Sequence, residues 1–360
     1  MKAAILRQLG SPLEIAEVEV AAPGPREVLI RTRACGVCHS DLHFIDGLYP
    51  APLPFVPGHE AAGIVESVGA DVTAIRPGDH VVTCFSTFCG RCEYCVTGRL
   101  SLCVDSSTKR KPTQPPRLSL DGAAAHQLLN VGGYAELLLV HENGAVPIDR
   151  DMPFDRAALM GCAVVTGAGA VLNTAGVRPG EHVAVIGCGG IGLAAINAAR
   201  IAGAARIVAV DPVPAKRALA GKIGATDSFA PDSERLREQV VELTRGGVHH
   251  AIEAVGRIAA GELALSLLRR GGTATIVGMM PLAEKLPMRA LDLLAEKKLQ
   301  GCLMGSNRFP VDIPRLVDFY LAGRLDLDSV IAERIGLDRI NEAVATLRTG
   351  EAARSVVVFE

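Results

Sequence analysis

The sequence predicts an α/β protein in which a doubly wound parallel sheet follows a mainly β region. The chain has 360 residues, more than one hydrophobic core usually organises, so two domains are expected. Apolar residues make up 49% of the chain and aromatic residues only 4%, which favours cores of small aliphatic side chains between buried parallel strands. From Val183 onward, strand-like and helix-like stretches alternate. Repeated βα units of this kind indicate a parallel sheet with helices on its faces.

Up to about residue 150 the pattern is instead one of short β-like runs separated by turn signals. Such runs stand at residues 28–32, 62–68 and 80–83. Between them lie clusters of proline and glycine, which favour turns over regular structure. This part of the chain is predicted to be irregular and all-β.

In the second part each strand is followed by a helical stretch. Apolar runs predict strands at 183–187, 206–211, 248–255 and 273–278. Helices are expected at 193–203, from Pro214, and at 234–244, 261–270 and 288–298. The tail from about residue 307 is expected to hold one amphipathic helix, 315–322, and a final strand, 355–359.

Composition argues against several classes of partner. The formal net charge is −2 and the basic residues are scattered, so no nucleic-acid surface is indicated. Residues 157–177 carry no charge, but they include four glycines, an asparagine and two threonines, and no second such segment accompanies them; a membrane span is therefore not expected. Ten cysteines in a chain of this size, without a signal-peptide pattern, favour reduced thiols and a cytoplasmic location.

The first βα unit carries a glycine fingerprint for a dinucleotide. Gly187, Gly189 and Gly192 form the pattern G-x-G-x-x-G directly after an apolar strand and at the start of a helix. Asp211 ends the next strand, where a carboxylate accepts hydrogen bonds from ribose hydroxyls and repels a 2′-phosphate. The pattern favours NAD over NADP. A glycine turn in another kind of α/β domain is the alternative.

Four cysteines lie within fifteen residues in a polar, glycine-containing segment: Cys89, Cys92, Cys95 and Cys103. Thiolates at this spacing predict one closed, tetrahedral structural zinc site that would order a loop without a core of its own. An iron–sulfur cluster or a redox disulfide pair are the alternatives. Such a site also occurs in binding proteins, so it does not by itself indicate catalysis.

Three separate segments carry residues suited to a second, catalytic zinc. They are residues 36–43 (GVCHSDLH), 58–60 (GHE) and 161–162 (GC). A catalytic zinc keeps one coordination position open and usually takes its ligands from different parts of the chain.

Taken in order, these motifs resemble those of the zinc-dependent medium-chain alcohol dehydrogenases over essentially the full length of the chain. The further landmarks are Thr166, the glycine fingerprint, Asp211 and Arg354. The resemblance implies a GroES-like catalytic domain at residues 1–163, completed by a C-terminal segment at 305–360, and a Rossmann NAD-binding domain at 164–304. Residues 105–132 resemble the long insertion of the dimeric branch, which includes glutathione-dependent formaldehyde dehydrogenases.

The resemblance also implies a role for each site residue. Cys38, His59 and Cys162 would bind the catalytic zinc, the ligand set of two cysteines and one histidine known for alcohol dehydrogenase. Asp41 would orient His59, and Glu60 would lie beside the metal without being a permanent ligand.

Proton transfer and cofactor binding would fall to other matched positions. Ser40 would contact the alcohol hydroxyl and His43 would end a proton relay to solvent. Thr166 would lie near the nicotinamide, His39 and Arg354 near the pyrophosphate, and Lys216 near the adenosine ribose. Tyr49 and Phe85 correspond to substrate-pocket positions.

The implied activity is reversible hydride transfer between a primary or secondary alcohol and NAD, in a homodimer with two zinc ions per subunit. One alternative is thiol-dependent formaldehyde oxidation, which needs an anion-binding group that Arg110, Lys111 or Arg117 could supply. Another is a non-catalytic protein that binds zinc and a dinucleotide. Cys35, Cys84, Cys188 and Cys302 fall outside both cysteine-containing sites and are expected to be buried thiols.

Overall fold

The computed structural model of the protein describes residues 1–111, 113–350 and 354–360. The chain divides into two compact units. The first unit contains Met1–Cys162, Arg308–Ala322 and Ile331–Glu360, and the second contains Ala163–Asn307 and Gly323–Val330.

Nineteen strands and eleven α-helices are formed within the described residues. The strands are β1 (Lys2–Ile5), β2 (Glu14–Glu17), β3 (Glu19–Val20), β4 (Glu27–Gly36), β5 (Phe55–Val56), β6 (Glu60–Val68), β7 (His80–Thr83), β8 (Leu118–Leu120), β9 (Ala123–Gln127), β10 (Leu137–His141), β11 (Ala145–Pro147), β12 (His182–Ile186), β13 (Arg206–Val210), β14 (Asp227–Phe229), β15 (Val248–Glu253), β16 (Leu268–Ile276), β17 (Lys298–Gly301), β18 (Ile331–Ile335) and β19 (Arg354–Val358). The helices are α1 (His39–Ile45), α2 (Glu93–Val96), α3 (Phe154–Leu159), α4 (Val165–Gly169), α5 (Gly190–Ile201), α6 (Pro214–Ile223), α7 (Leu236–Thr244), α8 (Ile258–Leu267), α9 (Ala290–Leu294), α10 (Phe309–Leu321) and α11 (Ile340–Thr349).

The first unit is built mainly from antiparallel strands. Its largest sheet has the order β11-β7-β6-β4-β19-β18, with β10 also paired to the long strand β4. Two smaller sheets pair β1 with β2 and join β3, β8, β9 and β5. Aliphatic side chains from β1, β5, β8 and β9 form one of its hydrophobic clusters. This confirms the mainly β region and provides the strand ends on which the metal-binding segments lie.

The second unit is a doubly wound parallel sheet, which confirms the predicted fold class. Its six strands lie in the order β14-β13-β12-β15-β16-β17 and all their pairings are parallel. Valine, isoleucine and alanine side chains of β12, β13, β15 and β16 form a core with α7 and α8. The strand order reverses between β12 and β15, the position at which open α/β sheets bind their ligands.

The sequence-based prediction was wrong for the region of α9. Instead of a helix at 288–298, the structure has the short helix α9 followed by the edge strand β17. The leucines of this region are exposed, Leu291 by 69% and Leu294 by 82%. A longer helix would therefore find no core to pack against here, whereas β17 is stabilised by long-range pairing with β16.

The tail also differs from its prediction. Its first helix, α10, begins at Phe309 rather than at residue 315, since Pro310 is tolerated in the first helical turn. A second helix, α11, and the strand β18 were not predicted. Residues 305–307 and Gly323–Val330 group with the second unit rather than with the first. For the latter segment, the fully buried Asn197 exchanges two hydrogen bonds with the backbone of Asp326, at 3.0 and 3.1 Å.

The helical stretch Phe154–Ala175 is long and apolar enough to cross a membrane by length and composition. However, 83% of its most apolar window is buried inside the protein, as in the core helix of a globular fold.

Candidate active site and metal centres

The first candidate metal centre joins three segments that are distant in sequence. Cys38 is the residue before α1, His59 directly precedes β6, and Cys162 lies in a π-helical turn, Met160–Val164. The ligand atoms of these three residues and a carboxylate oxygen of Glu60 all lie within 4.8 Å of one another. All four residues are buried. π-Helical turns are frequent at functional sites, and here the turn carries Cys162 into the cluster.

Asp41 determines which nitrogen of His59 faces this cluster. His59 Nδ1 lies 2.9 Å from Asp41 Oδ1. His59 Nε2 is buried and has no hydrogen-bond partner among the described residues. A histidine whose Nδ1–H is bound to a carboxylate presents Nε2 with a free lone pair, which is the form that binds metals. The residues present therefore fit a zinc ion.

The carboxylate of Asp41 is itself fully buried and accepts several hydrogen bonds. Besides His59, its donors are the backbone N–H groups of Cys38 at 3.3 Å and Gly58 at 3.1 Å, and the hydroxyl of Tyr134 at 3.0 Å. Asp41 thus connects the segment of Cys38 to the segment of His59. Asp41 was predicted from the sequence, whereas Tyr134 was not.

Glu60 and Arg354 form a buried ion pair next to the ligands. Arg354, in β19, donates through Nη2 to Glu60 Oε2, and their side chains are 5% and 0% exposed. Burial raises the pKa of Glu60 to about 7, although the positive charge of Arg354 opposes the shift. The structure places Arg354 against Glu60, a contact that the sequence did not predict. Its expected contact with a pyrophosphate stays a prediction.

The predicted relay residues lie on and after α1. Ser40 and His43 are half-buried, whereas His39 is exposed. The ring centre of His43 lies 5.6 Å from that of His39 and 5.8 Å from that of Tyr49. Partial burial, with a contribution from the neighbouring His39, lowers the pKa of His43. Both histidines line a surface cavity of about 260 Å³, so a proton accepted by His43 has a path to solvent.

The two aromatic residues predicted to line the substrate pocket, Phe85 and Tyr49, each lie beside a histidine. The ring centre of Phe85 lies 5.6 Å from that of His59, at an interplanar angle of 78°. Tyr49 packs edge-on against His43. One aromatic ring therefore lies beside His59 of the candidate metal centre and the other beside the predicted relay residue His43. Their role in a substrate pocket stays a prediction.

The four-cysteine segment forms the second candidate metal centre. The sulfur atoms of Cys89, Cys92, Cys95 and Cys103 all lie within 4.8 Å of one another, and three of their separations are 3.4, 3.8 and 3.9 Å. A tetrahedron with zinc–sulfur bonds of about 2.3 Å has edges of about 3.8 Å, so one ion fits. These separations are too long for a disulfide, whose S–S bond is about 2.05 Å. Backbone N–H groups of Arg91 and Cys92 donate to the sulfur of Cys89.

The glycine fingerprint forms the turn between β12 and α5. Gly187 has a φ of +93°, and Gly189 is the residue before the helix. A Cβ atom on Gly192 would lie only 1.8 Å from the carbonyl oxygen of Gly187, so no other residue fits there. This turn leaves the N-terminus of α5 available to a phosphate group.

Asp211 follows β13 and is 5% exposed. Its two carboxylate oxygens accept hydrogen bonds from the backbone N–H groups of Cys188, at 2.8 Å, and Val213, at 2.9 Å. Each oxygen retains a second lone pair for a ribose hydroxyl. Lys216 lies in the first turn of α6 and is half-buried. These positions are compatible with the ribose contacts expected from the sequence.

Thr166 lies within α4, in the second unit, and is 3% exposed. Its hydroxyl is directed at the sulfur of Met304, at 3.3 Å. The expected contact of Thr166 with a nicotinamide stays a prediction.

Glu253 is a buried acid beside the predicted dinucleotide turn that was not singled out from the sequence. It ends β15 at the switch point of the sheet, is fully buried, and accepts backbone hydrogen bonds from Val255, Gly256 and Gly278 at 2.7 to 3.3 Å. These bonds hold the loops after β15 and β16, at the edge where ligands bind. Only the position of an acid at a strand end could have indicated it.

The remaining four cysteines are buried free thiols, as expected: Cys35, Cys84, Cys188 and Cys302. Burial raises the pKa of Cys84 to about 11 and that of Cys188 to about 12. Both are therefore thiols rather than thiolates at neutral pH.

Two basic residues of the insertion form ion pairs with a buried carboxylate of the first unit. Arg110 and Arg117 both donate to the buried carboxylate of Glu27, with closest distances of 2.5 and 2.7 Å. Lys111 is exposed. The two arginines therefore anchor the insertion to β4.

Comparison with known proteins agrees with this geometry. Residues 24–150 match the family described as alcohol dehydrogenase GroES-like domain, and residues 190–321 match the zinc-binding dehydrogenase family. The NDMA-dependent alcohol dehydrogenase of Amycolatopsis methanolica is 38% identical over 366 residues, which cover 99% of this chain and 98% of the relative.

Solved structures of related proteins cover the whole chain. An alcohol dehydrogenase zinc-binding domain protein from Burkholderia ambifaria has a TM-score of 0.96 at 34% identity, with 98% of its chain covered. Benzyl alcohol dehydrogenase from Acinetobacter calcoaceticus has a TM-score of 0.94 at 31% identity, with 99% of its chain covered. The chain belongs to the zinc-dependent medium-chain alcohol dehydrogenase family.

Proposed function

We propose that the protein is an NAD-dependent alcohol dehydrogenase that interconverts a primary or secondary alcohol with its aldehyde or ketone. The observation that supports this most directly is the buried cluster of Cys38, His59, Cys162 and Glu60, in which Nε2 of His59 has no partner among the described residues. Cys38, His59 and Cys162 would hold a zinc ion. When bound, that ion supplies a Lewis acid that lowers the pKa of a hydroxyl group and polarises a carbonyl group.

The residues of this chain would perform the remaining tasks. Asp41 holds His59 in the metal-binding tautomer. Ser40 would take the proton of the alcohol as it donates its own hydroxyl proton onwards, and His43 would accept the relayed proton and release it to solvent through the cavity that it lines. The lowered pKa of His43 favours the neutral, proton-accepting form at neutral pH. Phe85 and Tyr49 would contribute aromatic walls to the substrate pocket.

NAD is proposed as the cofactor because of Asp211. Its buried carboxylate lies behind the glycine turn, where it would bind ribose hydroxyls and repel the 2′-phosphate of NADP. Lys216 would approach the same ribose, and His39 and Arg354 the pyrophosphate. The second zinc ion is assigned to Cys89, Cys92, Cys95 and Cys103, where it would have a structural role.

The thiol-dependent alternative has less support. It requires an anion-binding group, but two of the three candidate residues, Arg110 and Arg117, are directed at Glu27, which leaves only the exposed Lys111. Neutral alcohols are therefore the proposed substrate class.

A homodimer in the cytoplasm is proposed for the assembled protein. β17 is the last strand of the parallel sheet among the described residues, and four exposed leucines flank it closely in sequence: Leu291, Leu293, Leu294 and Leu303. Unpaired strand edges and contiguous apolar patches are typical of protein interfaces. A second copy of this chain would cover them. Light scattering should give twice the mass of the chain, and Leu294→Asp should shift the protein towards a monomer; a monomeric wild-type protein would contradict the proposal.

The function is tested with a panel of alcohols and aldehydes, offered with NAD or NADP and with or without glutathione. An additional reaction contains NDMA, on which the Amycolatopsis relative depends by its name. We expect NADH absorbance with alcohols and no requirement for thiol.

Cys38→Ser should lose one of two zinc ions and all turnover. The matched control, Cys302→Ser, changes a buried thiol outside both centres and should keep both zinc ions and turnover. Turnover that survives Cys38→Ser, or a wild-type protein without any dehydrogenase activity, would refute the proposal.

A further inference from the structure

A tyrosine hydroxyl is linked to His59 of the first candidate metal centre through the carboxylate of Asp41. Tyr134 is fully buried, and its hydroxyl donates to Asp41 Oδ2 at 3.0 Å. The other oxygen of the same carboxylate lies 2.9 Å from His59 Nδ1. Tyr134, Asp41 and His59 thus form a continuous hydrogen-bonded chain that ends at the free Nε2 of His59.

The backbone holds Tyr134 against the loop that carries His59. The N–H of Tyr134 donates to the carbonyl of Pro57 at 3.0 Å, and the N–H of Gly133 donates to that of Gly58 at 2.7 Å. Gly58 has a φ of +87°, and a Cβ atom there would lie 2.7 Å from Cδ1 of the tyrosine ring. Only glycine at this position allows the ring to approach so closely. The ring and the loop are therefore held in one fixed arrangement.

Among the described residues, two donors hold Oδ2 of Asp41, the carboxylate oxygen that does not contact His59. Asp41 Oδ2 accepts hydrogen bonds from the Tyr134 hydroxyl at 3.0 Å and from the N–H of Cys38 at 3.3 Å. The second bond is long, so the hydroxyl provides the better contact. Because Asp41 has no access to water, an oxygen that loses this donor cannot replace it from solvent. The carboxylate would then be free to turn and to release the ring of His59.

We propose that Tyr134 is a positioning residue of the catalytic metal site, where it fixes the orientation of Asp41 and, through it, that of His59. The inference rests on the proposed function, since it assumes that zinc binds at Cys38, His59 and Cys162. Tyr134 would touch neither substrate nor cofactor. Its contribution is to the retention of the metal.

Tyr134→Phe tests the proposal because it removes the hydroxyl and keeps the ring that packs on Gly58. Zinc release to a chelating dye is followed for the wild-type protein, for Tyr134→Phe and for Asn341→Ala. The control, Asn341→Ala, removes two hydrogen bonds to the backbone of Leu13 in the same unit, at 2.8 Å each, without touching the metal centre. Cys38→Ser identifies which of the two release phases belongs to the catalytic site.

Loss of the direct partner of a metal-binding histidine weakens metal binding by about 10- to 100-fold. Tyr134 acts one hydrogen bond further out, through Asp41, so we expect the catalytic zinc of Tyr134→Phe to be released about tenfold faster, the lower end of that range. The structural zinc and both zinc ions of Asn341→Ala should be released at wild-type rates. An unchanged catalytic phase, or equal acceleration of both phases, would overturn the proposal. A wild-type protein that shows no catalytic zinc phase would instead contradict the proposed function, so the two failures are distinguishable.

Discussion

Glu27 is expected to be among the most important single charges for the stability of the first unit. Its carboxylate, 7% exposed, accepts hydrogen bonds from Arg110, Arg117 and the N–H of Gly24. The substitution Glu27→Gln keeps the shape of the side chain but leaves two poorly exposed guanidinium groups without their counter-charge. Removing one partner of a buried ion pair in this way is strongly destabilising.

The size of the effect follows from the pKa of Glu27. Although burial opposes the shift, hydrogen bonds from Arg110 and Arg117 lower this pKa from 4.5 to about 2. A difference of this size corresponds to about 3 kcal/mol of the free energy of unfolding at neutral pH. For a unit of roughly 200 residues, that is a decrease in Tm of roughly 6–12 °C. Because the folded-state pKa is lowered, the contribution is complete above pH 4.5 and is lost as the pH falls towards 2; at pH 3.5 about 1.4 kcal/mol of it should be gone.

The assay is thermal and urea unfolding of the wild-type protein and of Glu27→Gln, from pH 7 down to pH 3.5. The matched control is Glu14→Gln, which removes a carboxylate of the same charge from an exposed ion pair with Arg7. The side chain of Arg7 is 45% exposed and that of Glu14 is 53% exposed. Exposed pairs contribute at most about 1 kcal/mol. The difference between wild type and Glu27→Gln should shrink with falling pH. If Glu27→Gln costs no more than Glu14→Gln, or if the difference is independent of pH, this reasoning is wrong.

Three other substitutions test the remaining sites. Cys103→Ser should reduce the zinc content from two ions to one and lower Tm; two retained zinc ions by metal analysis would contradict the four-thiol site. Glu253→Gln should weaken NAD binding about tenfold in a calorimetric titration, because the oxygen that accepts from Gly278, in the loop after β16, becomes an amide donor, while Val255 and Gly256, in the loop after β15, keep an acceptor; zinc content should stay unchanged as the control. An unchanged Kd would show that these loops do not form the cofactor site. Asp211→Ser should raise kcat/KM with NADP relative to NAD by at least tenfold; an unaltered ratio would mean that another residue selects the cofactor.

The sequence was sufficient to predict the parts of this protein that depend on local patterns. The cysteine spacing predicted the four-thiol loop, and the strand–glycine–helix pattern predicted the turn between β12 and α5. The separate segments of Cys38, His59 and Cys162 were joined only through the family resemblance. No periodicity in the sequence indicates that these three segments meet.

Contacts between distant residues were not predictable in the same way. Glu60 and Arg354 are 294 residues apart, and each has an ordinary place in its own strand. Tyr134 would have been expected only to be a core aromatic, although a buried tyrosine usually has a partner for its hydroxyl. β17 was missed because edge pairing depends on β16 rather than on its own residues.

The Glu27→Gln variant also distinguishes the two substrate hypotheses. If Arg110 and Arg117 bound an anionic thiol adduct, removal of the neighbouring carboxylate would strengthen that binding and lower the KM for the adduct, with no effect on neutral alcohols. In the structure the donors of both arginines are directed at Glu27 and at backbone carbonyl groups, those of Ala22, Thr108, Pro115 and Pro116. Their geometry is that of an anchor for the insertion, so we expect KM at room temperature to stay unchanged for alcohols and for hydroxymethyl-glutathione alike. A KM that falls for the adduct alone would show that these arginines recognise its carboxylates, and the thiol-dependent reaction would then become the better hypothesis.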